Sequence, residues 1–571
     1  MTFSNDSGAN GHNEDIQAGK SPRYGQSNER LVGTAFPRRK LKIVMLGAGI
    51  SGIQFAHDVS TRMLDVELEI FEKNSELGGT WYENRYPGCA CDVPAHTYQF
   101  SWEPNTRWSK FYAPAPEIRQ YLNDVVDKHG LRKYMRFNHR AISAMWQEEP
   151  STWRIELETT DGSGNLIVVT QECDVLVKGL GTLNNWKYPD IEGLSTFGGN
   201  LMHTANWDET VDLTGKRIAV IGNGASAVQC VAAVQPIAKK LVNYLRTASW
   251  MIPHLFSDGA VQKDYSAKDW EKFENDPKYY LEYRLQLENT LASGFEAIWS
   301  GSPAQTKLER ETIQHMKEII HDPRLLETLL PKFELGCRRF TPGDHYLHAL
   351  QQKNASVISD SIVHITEKGV VDATGAVTEV DIIICATGFD ASFEPRMPTI
   401  GRDGYSLSDN WGKDKPTESY MGAVVARFPN MFVFNPPITP VLGSAFPGIQ
   451  ATSDYILRLL HRLQTDDLRS IVAKETSQRS FNEWAQQQLR KMAFSGDCKS
   501  WYKSSKGKVF IPWPGTVAHY IRTTSLIRWE DFDLIWADPE AKYKSLGNGV
   551  TEEGVAVESP PWLCQVGSKV V

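Results

Sequence analysis

Cysteine is sparse in this chain, and no two cysteines stand in a C-x-x-C spacing. Cys89, Cys91, Cys173, Cys230, Cys337, Cys385, Cys498 and Cys564 are scattered, so neither a zinc site nor a disulfide framework is suggested. A reduced, cytoplasmic setting is the expectation. Nowhere do 18 apolar residues run together, the minimum for a helix that crosses a bilayer, so no transmembrane segment is expected. Long basic runs are missing and the formal net charge is −8, which argues against nucleic acid as the main partner. Residues 1–40 have no apolar core of a signal peptide and are rich in Ser, Asn, Gly and Gln, so they read as a disordered tail. The polar stretch 541–571 is likewise expected to carry no structure.

What is present is too long for one core: 571 residues imply several domains. Ile43-Val44-Met45-Leu46 has the apolar, β-branched character of a buried parallel strand. Gly47-Ala48-Gly49-Ile50-Ser51-Gly52 follows at once, and Ile53, Ala56 and Val59 then recur at helical spacing. Gly47 allows the tight turn, Gly49 lets a pyrophosphate approach the backbone, and Gly52 lets helix pack on strand. The phosphates would rest at the helix N-terminus. A second strand, Leu68-Glu69-Ile70-Phe71, ends at Glu72, whose carboxylate can accept hydrogen bonds from ribose hydroxyls. Trp153 to Leu157 and Leu166 to Val169, with Met145-Trp146 before them, read as a small antiparallel meander.

The unit recurs once. Arg217 to Ile221 is a buried strand, and Gly222-Asn223-Gly224-Ala225-Ser226-Ala227 is a second dinucleotide loop, ending in Ala where the first has Gly. The next strand, Leu241 to Leu245, leads to Arg246 and Thr247. A cation thus stands where the first unit has Glu72. A guanidinium can clamp a 2′-phosphate bidentately and a carboxylate would repel it, so NADP rather than NAD is expected there. Residues 264–331 mix aromatics, leucines and charges at helical spacing and read as a helical insertion. Asp381 to Cys385 is another buried strand, and Phe428 to Phe434 returns to the first sheet. Ser453 to Met492 reads as two amphipathic helices.

Between the two glycine loops lies Phe197-Gly198-Gly199-Asn200-Leu201-Met202-His203-Thr204-Ala205-Asn206-Trp207-Asp208. It fits F-x-G-x-x-x-H-x-x-x-W-D and resembles the fingerprint of Baeyer–Villiger monooxygenases. The run from Gly78-Gly79-Thr80-Trp81 through Tyr86-Pro87-Gly88 to Asp92 is similar to a second motif of that family. Gly336-Cys337-Arg338-Arg339 is similar to a third, Gly-x-Lys/Arg-Arg. The resemblance spans residues 40 to 535 and, at the C-terminal end, looks like the branch common in filamentous fungi. One departure is Pro436-Pro437-Ile438-Thr439-Pro440, where the family commonly has Gly-Pro-x-x-Pro. Proline cannot take a positive φ, so the backbone path there is left open.

The resemblance implies an α/β fold with two Rossmann-like dinucleotide-binding domains, for FAD and NADP. The expected division is 41–190 and 386–540 for FAD, 191–212 for the fingerprint linker and 213–385 for NADP. Thr80, Trp81, Tyr82, Asn84 and Tyr98 would join the first loop around FAD. Asp92 would lie by the flavin and the nicotinamide. Arg338 would help Arg246 bind the 2′-phosphate, while Arg339 would point at the flavin with Asp92 as its ion-pair partner. His203 and Trp207 would couple the domains. The implied activity uses NADPH and O2 to insert oxygen beside a ketone carbonyl, giving an ester or lactone. A tailoring role on a polyketide or terpenoid secondary metabolite follows from the fungal likeness. The alternative is oxidation of nitrogen or sulfur, against which Trp207 counts.

Overall fold

The computed structural model describes residues 38–253 and 264–548, and Arg38 to Glu540 form one compact unit. Two five-stranded parallel sheets organise it. The first has the order Met431–Val433, Val175–Lys178, Leu41–Leu46, Val66–Phe71, Met135–Arg136. The second runs Ala355–Ile358, Lys240–Tyr244, Arg217–Ile221, Ile382–Cys385, Asn200–His203.

The central strands of both sheets are mainly apolar because both faces are covered. Leu41, Ile43 and Met45 enter one core while Val44 and Leu46 enter another, as the two-residue strand period requires. In the second sheet Ile218 and Val220 face one side and Ala219 and Ile221 the other. Each such aliphatic side chain contributes roughly 1.5–3 kcal/mol on full burial. The second sheet is closed by charge at its base. Arg217 donates its backbone N–H to Asp381 Oδ2 at 2.8 Å and its guanidinium to Asp381 Oδ1 at 2.7 Å.

The antiparallel meander is formed by Arg140–Gln147, Thr152–Thr160 and Leu166–Cys173. Its inner residues Trp153, Ile155 and Leu157 pack on Val44, Leu46 and Leu176 of the first sheet. Trp153 fixes the contact by donating its indole N–H to the Pro429 carbonyl at 2.8 Å.

The helical insertion comprises Ala267–Asn275, Pro277–Ser293, Pro303–Ile319 and Pro323–Leu329. Ser266, Asp276, Ser302 and Asp322 each accept a backbone N–H at a helix start. Trp270 donates to the Trp108 carbonyl at 2.9 Å, and Gln99 donates to the Tyr280 hydroxyl at 2.9 Å, which seats the insertion on the segment around residues 99–108. Phe273 and Tyr280 of the insertion are buried, whereas Leu281 and Leu285 face outward.

Sequence periodicity also passed over a strand. The C-terminal helices run Ala445–Thr465 and Glu475–Leu489, and between them Leu468–Ala473 pairs antiparallel with Phe532–Trp536. A six-residue apolar strand between two helical patterns gives no period of its own.

Gly222 joins the second sheet to its loop at φ +135°, and a Cβ there would lie 2.2 Å from the Ala386 carbonyl oxygen. Gly224, with negative φ and no atom within 4 Å of such a Cβ, is open. Gly222→Ala should therefore destabilise by more than about 2 kcal/mol, whereas Gly224→Ala should cost less than about 1 kcal/mol. Thermal melting of the two variants checks this; equal melting temperatures would contradict it.

Candidate active site

The first cradle forms where the Leu41–Leu46 strand meets the Ile50–Arg62 helix. Gly47 sits at φ +106°, and a Cβ there would lie 2.5 Å from the Gly179 carbonyl oxygen. Gly52 packs as closely, a Cβ there meeting the Gly47 carbonyl at 2.3 Å. Gly49 faces the Cα of Gly79. Glu72 is buried, and burial raises its carboxyl above the ordinary range. One of its oxygens accepts the Ala48 N–H at 2.8 Å and the other the Asn74 N–H at 2.9 Å. The carboxylate therefore braces the loop as well as lining the cavity.

That cavity measures about 640 Å³ and is lined by Gly47, Gly49, Glu72, Thr80, Trp81 and Tyr98. Trp81 donates its indole N–H to the Tyr98 hydroxyl at 3.2 Å, which fixes both rings. Tyr82 and Asn84 are placed differently. The Tyr82 ring is held between Arg85 and Arg119, at 4.6 and 5.0 Å, and its hydroxyl meets Ser75. Asn84 donates to the Thr80 carbonyl at 2.8 Å and lines a neighbouring cavity of about 1000 Å³. Sequence reasoning missed Lys73, next to Glu72, and also Asn184 and Arg396, which line the first cavity from distant parts of the chain. Arg396 donates to the Leu180 and Gly181 carbonyls at 3.3 and 3.2 Å.

The second cradle starts the Ala225–Val234 helix at Gly224, so its free N–H groups and dipole face whatever lies before Ser226 and Ala227. The Asn223 side chain accepts from the Tyr346 hydroxyl at 3.0 Å and donates to the Thr247 carbonyl at 3.3 Å. Ser249 donates to the Asn223 carbonyl at 2.7 Å. Arg246 and Thr247 are exposed just beyond the strand. Arg338 is half-buried, lies over the Phe333 ring at 4.8 Å and donates to the Lys499 carbonyl at 2.8 Å. Burial, and then the charge of Arg246, push the Arg338 guanidinium below its ordinary value. Two cations thus stand within range of each other, an arrangement that an anion between them would stabilise.

Arg339 turns the other way. Its Nε donates to Asp92 Oδ2 at 2.8 Å and its terminal nitrogen to Asp92 Oδ1 at 2.7 Å, a planar bidentate pair. The Asp92 charge holds the guanidinium well above its ordinary value, outweighing burial. About a third of the Arg339 side chain stays open, 34%, while the ion pair fixes its guanidinium. The buried Tyr502 phenol, pushed up to about 12 by burial, lies within electrostatic range of Arg339.

Known proteins resemble this chain over most of its length. The description of an NAD(P)-binding Rossmann-like domain matches residues 45–115. The "FAD-binding monooxygenase tazF" of Aspergillus terreus is 40% identical over 528 residues, covering 90% of this chain and 92% of that protein. A "Baeyer-Villiger monooxygenase" of Pseudomonas aeruginosa is 34% identical, covering 89% of this chain and 92% of its own. The chain belongs to the FAD-binding Baeyer–Villiger monooxygenases. The closed structure of a cyclohexanone monooxygenase superposes with a TM-score of 0.75 at 24% identity, over 88% of this chain and 100% of its own. An oxidised steroid monooxygenase bound to NADP superposes with a TM-score of 0.73 at 26% identity, over 87% of this chain and 99% of its own.

FAD and NADP are the nucleotides of this monooxygenase family, and the first cavity fits a dinucleotide. Asn184 Oδ1 is buried there with no partner among the described residues, an acceptor awaiting a donor. The close approaches at Gly47 and Gly49 leave backbone where a pyrophosphate must come near.

The fingerprint of the monooxygenase is a sheet element. Asn200–His203 is the edge strand of the second sheet, paired with Ile382–Cys385. Gly199 before it has no room for a Cβ, which would lie 2.3 Å from the Asp381 carbonyl oxygen. His203 is fully buried, with Trp186 stacked on it at 4.9 Å. Its Nδ1 accepts the Ala205 N–H at 3.0 Å, so the proton sits on Nε2, 3.3 Å from the Thr387 hydroxyl. Thr387 lies in the Ala386-Thr387-Gly388 turn, where the chain leaves the second sheet. Trp207 packs partly buried against the main core.

One expectation is overturned. Cys337 and Cys498 form a disulfide, Cα–Cα 6.3 Å, across 161 residues of sequence. No local spacing announces such a pair, because only the folded chain brings the C-terminal loop to Cys337.

Burial lowers the His203 pKa from 6.5 to about 4. The unfolded chain therefore binds this proton more readily, and stability is lost as pH falls from 6.5 towards 4, by at most about 1.4 kcal/mol per pH unit. His203→Asn should remove that component. Melting temperatures of both proteins across this range check it; parallel curves would refute the assignment.

Proposed function

We propose that this chain is an NADPH-dependent Baeyer–Villiger monooxygenase that inserts one oxygen atom of O2 beside a ketone carbonyl, giving an ester or lactone. The observation that carries the reading is the bidentate Arg339–Asp92 pair, set beside a separate pair of arginines. Bound FAD supplies the redox chemistry with dioxygen, and the protein supplies position and charge. Gly47, Gly49, Gly52, Glu72, Thr80, Trp81 and Tyr98 hold that cofactor in the first cavity.

Oxygen insertion builds negative charge on the reacting oxygens and then on the ketone oxygen. In an apolar site such charge needs a fixed cation. Arg339 provides it, because arginine stays protonated where lysine can shed its proton. Asp92 holds the guanidinium plane in place and acts as a positioning residue. Arg246 and Arg338 take the 2′-phosphate of NADPH, a role supported by their mutual repulsion. His203 and Trp207 link nucleotide binding to the first domain, supported by the contact of His203 with the Thr387 turn. The Pro436 departure is accommodated by its neighbours: Asn435 and Ile438 take φ of 54° and 60°, and Ile438 donates to the Phe510 carbonyl at 2.9 Å. The substrate proposed is a polyketide or terpenoid ketone undergoing tailoring, in line with the relatives from filamentous fungi.

Arg339→Ala should retain FAD and NADPH binding but lower ester formed per NADPH consumed by at least about 100-fold. Product analysis against NADPH oxidation measures this, and coupling equal to wild type would sink the assignment. Arg246→Ala should raise the KM for NADPH about tenfold to a hundredfold while changing that for NADH little. Initial rates with both nucleotides decide it; an equal effect on both would remove the 2′-phosphate role.

A further inference from the structure

The Cys337–Cys498 disulfide adjoins the arginine pair. Cys337 immediately precedes Arg338 and Arg339, and Cys498 immediately precedes Lys499, whose carbonyl accepts from Arg338 at 2.8 Å. The same loop carries Tyr502, the phenol within range of Arg339. Lys503 returns to the junction, donating to the Gly496 carbonyl and lying 3.5 Å from Cys337 Sγ. Gly496 packs closely here: a Cβ would lie 2.6 Å from a Glu334 carboxylate oxygen and 3.1 Å from the Ala493 carbonyl oxygen. The turn bearing both arginines and the loop 496–503 are thus one crosslinked body.

The two cysteines differ in exposure. Cys337 is fully buried, whereas Cys498 is half-buried. We propose that the Cys337–Cys498 disulfide is a positioning crosslink for Arg338, and that a dithiol reductant opens it from the Cys498 side and thereby weakens the hold on NADPH. This rests on the reading of Arg338 as a 2′-phosphate ligand.

The chemistry balances as thiol–disulfide exchange. A thiolate of the dithiol attacks Cys498 Sγ, the S–S bond breaks, and Cys337 leaves as a thiolate. The Lys503 ammonium beside that sulfur stabilises the leaving thiolate. The second thiol of the reductant, deprotonated, attacks its own mixed-disulfide sulfur and releases Cys498. Two electrons pass to the cysteine pair, the reductant ends as a disulfide, and the two protons it gave up end on the cysteines. With the tether gone, the Lys499 carbonyl no longer fixes the Arg338 fork, and a preorganised charge-assisted contact becomes a mobile one.

The test uses FAD-loaded enzyme purified without reductant. Alkylation after denaturation, followed by peptide mass analysis, should find Cys337 and Cys498 linked, and both alkylated after dithiothreitol. Recovery of both as free thiols from untreated enzyme would overturn the proposal. After removal of the dithiothreitol, the KM for NADPH should be raised about tenfold, with kcat and the KM for NADH changed less than about twofold. Reoxidation should restore the original KM, which partial unfolding would not. Cys498→Ser should show the raised KM and no response to dithiothreitol. An unchanged KM in opened enzyme refutes the positioning role, provided that Arg338→Ala raises it. If Arg338→Ala leaves the NADPH KM unchanged, the 2′-phosphate reading has failed and the proposal falls with it. Limited proteolysis within residues 496–503 separates the two failures, because cleavage should quicken on reduction whichever nucleotide contact Arg338 makes.

Discussion

The Arg339–Asp92 pair is the contact on which the rest of the site depends. Its partners stand 247 residues apart, and they follow different glycine loops. A partly buried charged fork needs an orienting anion, and Asp92 is close enough to give both oxygens to it. The pair can form only if the two nucleotide halves meet in one relative position. Folding of each half therefore serves the other, and the cation is fixed before any substrate arrives, which is the condition for electrostatic preorganisation.

Around that pair the chain divides its arginines by environment. Arg338 and Arg339 are neighbours in sequence, yet one donates to the Lys499 carbonyl and the other to a carboxylate. Arg338 is depressed by burial and by Arg246, while Arg339 is raised by Asp92. Two adjacent side chains of one type thus meet different partners, a backbone carbonyl and a carboxylate, which is what the two roles proposed for them require. The Cys337–Cys498 crosslink fixes the backbone immediately before both.

The fingerprint gains a physical explanation from the same geometry. Its glycine, Gly199, passes against the Asp381 carbonyl, and its histidine is stacked under Trp186 and aimed at Thr387. A buried neutral histidine at the edge of one sheet, touching the turn that follows Cys385, fits the junction role proposed for it better than that of a proton carrier. Its low pKa is the consequence of that burial.

The sequence by itself determined the features that depend on neighbours in the chain. Both glycine loops, their flanking strands, Glu72, the antiparallel meander and the helical insertion were legible because each is set by local period or by a backbone position without room for a Cβ. Arg339 and Asp92 were legible as a pair only through the family motifs. Other features were decided by tertiary structure. Leu468–Ala473 becomes a strand because Phe532–Trp536 lies beside it. Tyr82 turns from the first cavity because Arg85 and Arg119 take its ring. Asn184 and Arg396 reach that cavity from segments with no motif. Cys337 finds Cys498 because the C-terminal loop folds back over the arginine turn. In each case the deciding contact joins residues whose proximity is fixed by packing of whole elements, and no spacing along the chain encodes it.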